Sequence, residues 1–519
     1  MATLTKSPIS PQQLVASLSE PETYPTGMGT SVVVHETHIS WVFLIGDYAY
    51  KVKKPVKNAF LDYSTLALRE QLCHKELQLD QRCAKELYLD VVPISRSAQR
   101  IQVEGNGQPI EYAVKMHRFP EDALLSERLK QGRLTGLDVR QLATDVAAFH
   151  LAAAHCANTD SWGEPDRVLR QAIDNFDALL PDLGPDQQRT VDRLLEWTLA
   201  TMERNTQQFA NRIEQGFIRE CHGDLHLQNV IDWHGKLMPF DGIEFSEEFR
   251  WIDVLSDAAF LAMDFSASGH DHFRHAFTSA YLEQTGDYAS LVLLRWYLVY
   301  RSLVRAKVAT IRANQMLRAS QSKRCERERL ETIADSNRHL DLADRFTWPA
   351  VPTLSITHGR SGSGKTTMTE RFIEREGAIR IRSDIERKRQ VGMDPEQRPS
   401  RYQRELLYSE ASRGATYRRL RKLSRSILRS GTSVIVDATF LRAADRQRFN
   451  QLAQQEGVGY RILDFPSELA TLRQRIVDRS RSGGDASDAD LSVLEMQTKM
   501  EQPLTDQERR YVVNAAVQQ

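Results

Sequence analysis

The octapeptide Gly359-Arg360-Ser361-Gly362-Ser363-Gly364-Lys365-Thr366 leaves the surrounding chain few ways to fold. Its glycines permit a tight loop whose backbone N–H groups point inward, and the strand-forming run Thr353-Leu354-Ser355-Ile356-Thr357 leads directly into it. A helix is expected from Lys365 onward. Strand, glycine-rich loop and helix in that order form a cradle for phosphate groups at a helix N-terminus. The pattern predicts a parallel sheet with helices on both faces, and Ala378 to Ile381 and Ser433 to Val436 read as further strands of it. Lys365 is expected on the β- and γ-phosphates of a nucleoside triphosphate and Thr366 on Mg²⁺. Gly359, Ser361, Gly362, Ser363, Gly364 and Thr367 complete the cradle.

Other residues around this loop point to phosphoryl transfer rather than mechanical work. Val434-Ile435-Val436-Asp437 reads as a strand ending in a carboxylate that orders the metal's water shell. Ser383-Asp384 falls where a second parallel strand ends, the edge at which such sheets present ligand-binding residues. Asp384 is there as a base for an acceptor hydroxyl, with a helix cap as the alternative; Arg387 lies one helical turn on and can hold an anionic group. Arg475 and Arg479, spaced i, i+4, suit a closing lid over the transferring phosphate or simply an exposed basic face. The Ser/Gly/Asp-rich stretch 480–490 reads as a mobile loop. Between Ile379 and Ser430 there are 15 Lys+Arg against 6 Asp+Glu, an excess of nine (15 − 6) that can attract nucleic acid. Aromatic residues for base stacking are sparse there, with Tyr402, Tyr408 and Tyr417 the exceptions, so solvated helix faces are the plainer account.

A second constellation lies upstream. His222-Gly223-Asp224-Leu225-His226-Leu227-Gln228-Asn229 is followed by Phe240-Asp241-Gly242, the residue types and order of a kinase catalytic loop and its metal-binding aspartate. A phosphoryl acceptor needs a carboxylate to orient its hydroxyl, which suits Asp224, while Asn229 and Asp241 suit Mg²⁺ and His222 braces the loop. A lysine from an earlier strand should meet the ATP phosphates and be held by a glutamate on the next helix. Lys51, in Ala49-Tyr50-Lys51, fits; Lys53 shares its strand face by the period of two and stays a rival. Glu76 is the expected partner, with Glu70 the alternative. Val32 to Val34, Ile39 to Ile45 and Tyr48 to Lys53 read as strands, as does Glu111 to Met116. Glu244, Arg250, Asp253 and Asp257 read either as a salt-bridge network or as a polar substrate pocket.

On these residues the stretch from about 30 to 310 resembles the aminoglycoside phosphotransferase family, a small-molecule branch of the protein-kinase-like fold. The resemblance implies Asp224 as catalytic base and Asn229 and Asp241 as Mg²⁺ ligands. No Gly-x-Gly-x-x-Gly precedes Lys51; the strand connection reads Glu36-Thr37-His38-Ile39-Ser40. Residues 353 to 500 resemble the P-loop kinases that include zeta toxins and the kinase domain of polynucleotide kinases. The order of the halves looks like bacterial fusions of an aminoglycoside phosphotransferase with an ATP-binding protein. The expected fold class is therefore α/β and α+β multidomain: a bilobal protein-kinase-like fold with N-lobe 1–117 and helical C-lobe 118–347, then a P-loop parallel α/β sandwich over 348–519. Trp348-Pro349-Ala350-Val351-Pro352 marks the last boundary.

Composition bounds the rest. At 519 residues, length alone suggests roughly three structural units. Hydrophobic residues at 41% and charged residues at 27% are ordinary for a globular chain, and equal counts of 69 basic and 69 acidic residues name no partner. Five scattered cysteines without metal spacing suit a reduced, cytoplasmic protein, and no apolar run predicts membrane spanning or secretion. The expectation is a bifunctional ATP- and Mg²⁺-dependent phosphotransferase. Its first half takes a small polar hydroxyl compound, its second a small molecule or nucleotide. The alternatives are a 5′-hydroxyl polynucleotide kinase in the second half, with nucleic acid as partner, or one half acting as a nucleotide-sensing regulator of the other. Neither acceptor identity nor oligomeric state is legible.

Overall fold

A computed structural model of the chain describes residues 9–25, 31–58, 61–97, 100–157, 160–179, 184–319, 323–395, 397, 399–407, 409–482 and 490–514. They pack as two compact units. One comprises Met1–Thr135, Ala152–Gly163 and Arg212–Asp257; the other Gly136–Leu151, Glu164–Asn211 and Ala258–Gln519.

In the first unit β1 (Val33–Glu36), β2 (Ser40–Ile45), β3 (Tyr48–Lys53), β4 (Tyr88–Ser97), β5 (Arg100–Val103) and β6 (Gln108–His117) form an antiparallel sheet in the order β1-β2-β3-β6-β4-β5. Alternation along β2 and β3 decides its faces. Trp41, Phe43, Ile45, Tyr50 and Val52 bury one face with Val92 and Ile94. Ala49, on the other, packs with Cys73 of helix α1 (Leu66–Ala84). Lys51 and Lys53 share the Ala49 side and so meet α1. Thr65 caps that helix, accepting from the Leu68 N–H.

Two short antiparallel pairs carry the rest of this unit: β7 (Ile218–Glu220) with β10 (Trp251–Asp253), and β8 (Val230–Trp233) with β9 (Lys236–Pro239). The β8–β9 hairpin closes on His234-Gly235, both at positive φ (52° and 86°), which matches the twist of a two-residue hairpin. An antiparallel sheet packed on one helix and followed by two short strand pairs agrees with the protein-kinase-like fold expected of this segment. Strands β4 and β5 are additions to the sequence expectation.

The second unit begins with helices whose apolar sides meet in a core of Phe176, Leu179, Val299, Leu303, Leu340 and Ala343. From Leu291 run two helices, Leu291–Ala319 and Lys323–Thr347, folded back on one another through Leu303 and Leu340. Helix α2 (Asp271–Thr285) precedes them and ends at Gly286 in a left-handed cap.

After the Pro-flanked break come β11 (Thr353–His358), β12 (Ile379–Arg382), β13 (Val434–Asp437), β14 (Gly459–Asp464) and β15 (Val512–Asn514), ordered β12-β13-β11-β14-β15 with every neighbour parallel. Helices α3 (Lys365–Glu376), α4 (Ser383–Arg389), α5 (Glu410–Arg429), α6 (Ala443–Glu456), α7 (Leu469–Ser482) and α8 (Leu491–Met500) accompany it. Leu354, Ile356, Ile381, Val434 and Val436 are fully buried, the apolar run expected of strands covered on both faces. This is the P-loop α/β sandwich.

Edge strand β12 is covered by α2: the Arg380 N–H donates to Ser279 Oγ at 3.1 Å. A sheet edge closed by a helix is protected from pairing with another chain. Among the described residues no helix is long and apolar enough to cross a membrane.

Candidate functional sites

The first site is organised by two lysines around one carboxylate. Lys51 Nζ lies 2.8 Å from Glu76 Oε1 and also binds Asp241. Lys53 Nζ lies 2.5 Å from Glu76 Oε2 and binds Glu244, which also accepts from the Tyr63 hydroxyl. Glu76 is completely buried and Lys53 nearly so. Burial pushes the Lys51 ammonium down, but Asp241 and then Glu76 outweigh it and hold its pKa well above the usual lysine value. Burial likewise pushes Glu76 up, and the two ammonium groups reverse it and hold that carboxyl low. Lys51 thus joins the helix glutamate to Asp241, while Lys53 is locked into a structural cluster. Among the described residues the two lysines pair with Glu76, Asp241 and Glu244 rather than with Glu70.

Asp241 sits at φ 63°, a left-handed conformation uncommon for a residue with a side chain. It is held there by Lys51 and by its own N–H donating to the Tyr88 hydroxyl at 3.1 Å. Next to it the Gly242 N–H donates to buried Asp80 at 2.8 Å. Burial, then the nearby Glu76 charge, raises the Asp80 pKa well above the carboxylate range. Asn229 donates to both Asp224 Oδ2 and the Asp224 carbonyl at 3.0 Å, so the expected base and metal ligand are neighbours. His226 Nε2 lies 3.3 Å from the same Oδ2.

His222 braces the loop, its Nε2 donating to the Phe240 carbonyl at 2.9 Å; burial lowers its pKa and keeps the ring neutral. Asp257 accepts from the His222 and Gly223 N–H groups. Gly223 is required, since at φ 88° a Cβ would lie 2.7 Å from the Phe249 carbonyl. The polar cluster downstream is structural. Asp253 pairs with Arg212 at 2.6 Å and Arg250 with Glu220 at 3.0 Å.

At the second site Gly364 caps α3 at φ 82° and Lys365 opens that helix. Lys365 Nζ donates to the Gly359 and Arg360 carbonyls at 3.0 and 2.8 Å and lies 3.5 Å from Ser363 Oγ. Because β13 lies beside β11, Asp437 falls next to the loop, and Thr366 Oγ1 donates to its Oδ2 at 2.8 Å. A hydroxyl and a carboxylate so placed fit a hydrated Mg²⁺, and the glycine loop fits the phosphates it would neutralise. Arg387 donates to Asp384 at 2.9 Å within α4.

These residues surround a cavity of about 260 Å³. Gly362, Gly364, Lys365, Thr366, Thr367 and Asp437 line its phosphate side; Arg382, Asp384, Arg387, Arg413 and Tyr417 line another. Arg475 reaches it and donates to the Gly362 carbonyl at 3.3 Å. The Arg479 side chain and residues 483–489, the core of the expected mobile loop, lie outside the described residues.

Sequence reasoning missed Gln497. From α8 it accepts from the Ser361 N–H at 2.8 Å and donates to Ser361 Oγ at 2.9 Å, clasping the loop from 136 residues away. It missed Glu283 as well, whose Oε2 accepts from Arg380 Nε at 3.2 Å and whose Oε1 lies 3.6 Å from Arg382. No local pattern announces either residue.

Residues 354–504 match the family model described as an AAA domain. A choline/ethanolamine kinase family protein from Mesorhizobium loti is 13% identical, covering 64% of this chain and 99% of its own, with a TM-score of 0.36. A gluconokinase from Sinorhizobium meliloti is 20% identical, covering 32% of this chain and 85% of its own, at 0.21. The uncharacterized protein Rv2004c of Mycobacterium tuberculosis is 30% identical over 458 residues, 88% of this chain and 87% of that protein. The uncharacterized protein Mb2027c of Mycobacterium bovis matches with the same figures. With identity at that level spanning both the kinase-like and the P-loop segments, the chain belongs to the same protein family as Rv2004c.

Proposed function

We propose that the chain is a bifunctional ATP-dependent phosphotransferase, each site moving a γ-phosphoryl group to an alcohol hydroxyl. The observation that carries this reading is that each phosphate-binding lysine comes with its own carboxylates. Lys51 stands with Glu76 and Asp241 near the Asn229–Asp224 pair, and Lys365 with the Thr366–Asp437 pair and Asp384. Bound Mg-ATP supplies the transferable group and neutralises its oxygens.

In the first site Asp224 accepts the acceptor's proton, Asn229 and Asp241 hold metal, and Lys51 meets phosphate. In the second Lys365 and the glycine loop hold phosphate, Thr366 and Asp437 hold the metal's shell, Asp384 takes the proton, and Arg475 and Arg479 screen the transferring charge. A small polar molecule suits the first site, and a small molecule or nucleotide the second.

A polynucleotide acceptor is less well supported because four of the seven basic residues of α5 are met locally. Arg413 binds Asp445, Arg419 binds Glu386, and Arg425 and Arg429 bind Glu456. Five free thiols support a reducing, cytoplasmic setting.

The test is ADP release over a panel of hydroxyl compounds and oligonucleotides with wild type, Asp224→Asn and Lys365→Ala. Each variant is expected to lose one set of acceptors and keep the other. Acceptors that survive both substitutions would overturn the two-site reading.

A further inference from the structure

The cavity of the second site carries more positive charge than a nucleotide alone calls for. Its lining holds five cations, Lys365, Arg382, Arg387, Arg413 and Arg475, against two carboxylates, Asp384 and Asp437. Lys365, Arg475 and Asp437 belong to the glycine loop and the metal position. What remains, three arginines around Asp384, lies where the acceptor must sit.

Their placement is built rather than incidental. Arg382 ends β12 in register with Asp437 of β13, so it stands on the sheet edge that faces the transferring phosphate. Its side chain is 12% exposed, and its carboxylate neighbour Glu283 is shared with Arg380, which lies nearer. Arg387 rises from α4 beside Asp384, and Arg413 projects from α5 over the Tyr417 ring, backed by Asp445 at 2.5 Å. Arg382 and Arg413, held by Glu283 and Asp445 outside the cavity lining, are pre-set to take carboxylate or phosphate oxygens in bidentate fashion, and Arg387 stands beside the base.

We propose that the acceptor at this site is a small hydroxyl compound that also carries a carboxylate or phosphate, read by Arg382, Arg387 and Arg413 while its hydroxyl meets Asp384. The proposal rests on the phosphotransfer reading above. The acceptor oxygen forms a bond to the γ-phosphorus as the bond from that phosphorus to the β–γ bridging oxygen breaks. The bridging oxygen keeps the electron pair and leaves with ADP, and the hydroxyl proton passes to the Asp384 carboxylate.

The test compares matched pairs with the full-length protein and Mg-ATP: a hexonate against its hexitol, a hexose 6-phosphate against the hexose, and a 5′-hydroxyl oligonucleotide. ADP release that disappears in Lys365→Ala assigns turnover to this site. At least one charged member is expected to exceed its neutral partner by about tenfold or more in kcat/KM. Which pair responds tells carboxylate from phosphate.

Arg382→Gln and Arg413→Gln should raise KM for the charged member by about tenfold, a larger change than in KM for ATP or in use of the neutral member, with Arg382→Lys partly restoring it. A general folding defect would move all of these together, and a thermal unfolding scan of each variant separates that case.

Lys365-dependent use of the neutral partner to within about threefold of the charged one would overturn the anionic acceptor and leave phosphotransfer standing. Preference for the oligonucleotide over every small compound would overturn it too. Absence of Lys365-dependent transfer to any panel member would count against the phosphotransfer reading itself and take the inference with it.

Discussion

Glu283 accepts a 3.2 Å hydrogen bond from Arg380 Nε across 97 residues of sequence, so a carboxylate on α2 completes the edge strand of the P-loop sheet. Arg380 and Arg382 outweigh the burial that pushes the Glu283 carboxyl up and hold it below its usual range. Removing the carboxylate leaves two largely buried guanidinium groups short of a partner. Glu283→Ala should therefore cost about 3–5 kcal/mol, read as a lower urea midpoint with an unchanged slope. Glu283→Gln, which keeps an acceptor, should cost less. Equal stability of Glu283→Ala and wild type would mean that α2 does not brace this sheet.

The two lysines of β3 should separate functionally. Lys51→Met in a Lys365→Ala background, where ATP titration reports the first site alone, is expected to weaken or abolish ATP binding with a smaller loss of stability than Lys53→Met, because its partner Asp241 is half-exposed. Lys53→Met removes a cation buried between Glu76 and Glu244 and is expected to destabilise the fold by about 3–5 kcal/mol. Calorimetric titration and chemical unfolding of both variants check the assignment. The reverse pattern would make Lys53 the phosphate ligand.

That pair also marks what was readable in advance. Period two placed Lys51 and Lys53 on one strand face, and it had no means to rank them. What distinguishes them are Asp241 and Glu244, 190 and 191 residues away, each reaching a different lysine. The glycine loop was legible because its determinants are local: a strand, three glycines and a helix start within a few residues. Gln497 and Glu283 touch that site through tertiary folding and left no local trace. Strand β4 escaped notice because Asp90, Pro93 and Arg96 interrupt its apolar run, and β15 because three residues at a sheet edge carry almost no pattern.

Asp80 offers a test of a buried carboxyl group. Its Oδ1 accepts from the Gly242 N–H, next in sequence to Asp241, and burial raises its pKa, which favours the protonated form. Asp80→Asn preserves the acceptor without a charge and is expected to be neutral or slightly stabilising at pH 7. Asp80→Ala leaves the Gly242 N–H unsatisfied and should cost about 1–3 kcal/mol. Unfolding curves at pH 7 decide it: an asparagine variant as damaged as the alanine would show that Asp80 works as a carboxylate.

His275 predicts a pH dependence. Burial and then the Arg274 charge lower its pKa from 6.5 to about 4, while its Nδ1 donates to the Glu374 carbonyl at 2.8 Å and Arg274 donates to its Nε2. The ring is therefore held neutral in the folded chain. With the folded pKa below the unfolded one, the group is neutral in both states above pH 6.5 and has no effect there. As pH falls through 6.5 the unfolded state takes up a proton that the folded state refuses, so stability declines. The loss is complete near pH 4, where the folded ring also titrates. One such group accounts for up to about 3 kcal/mol over that window. Urea midpoints measured at pH 7 and pH 5 should differ more for wild type than for His275→Gln, which keeps a hydrogen-bonding side chain and cannot titrate. Identical pH profiles for the two proteins would show that the decline comes from other groups.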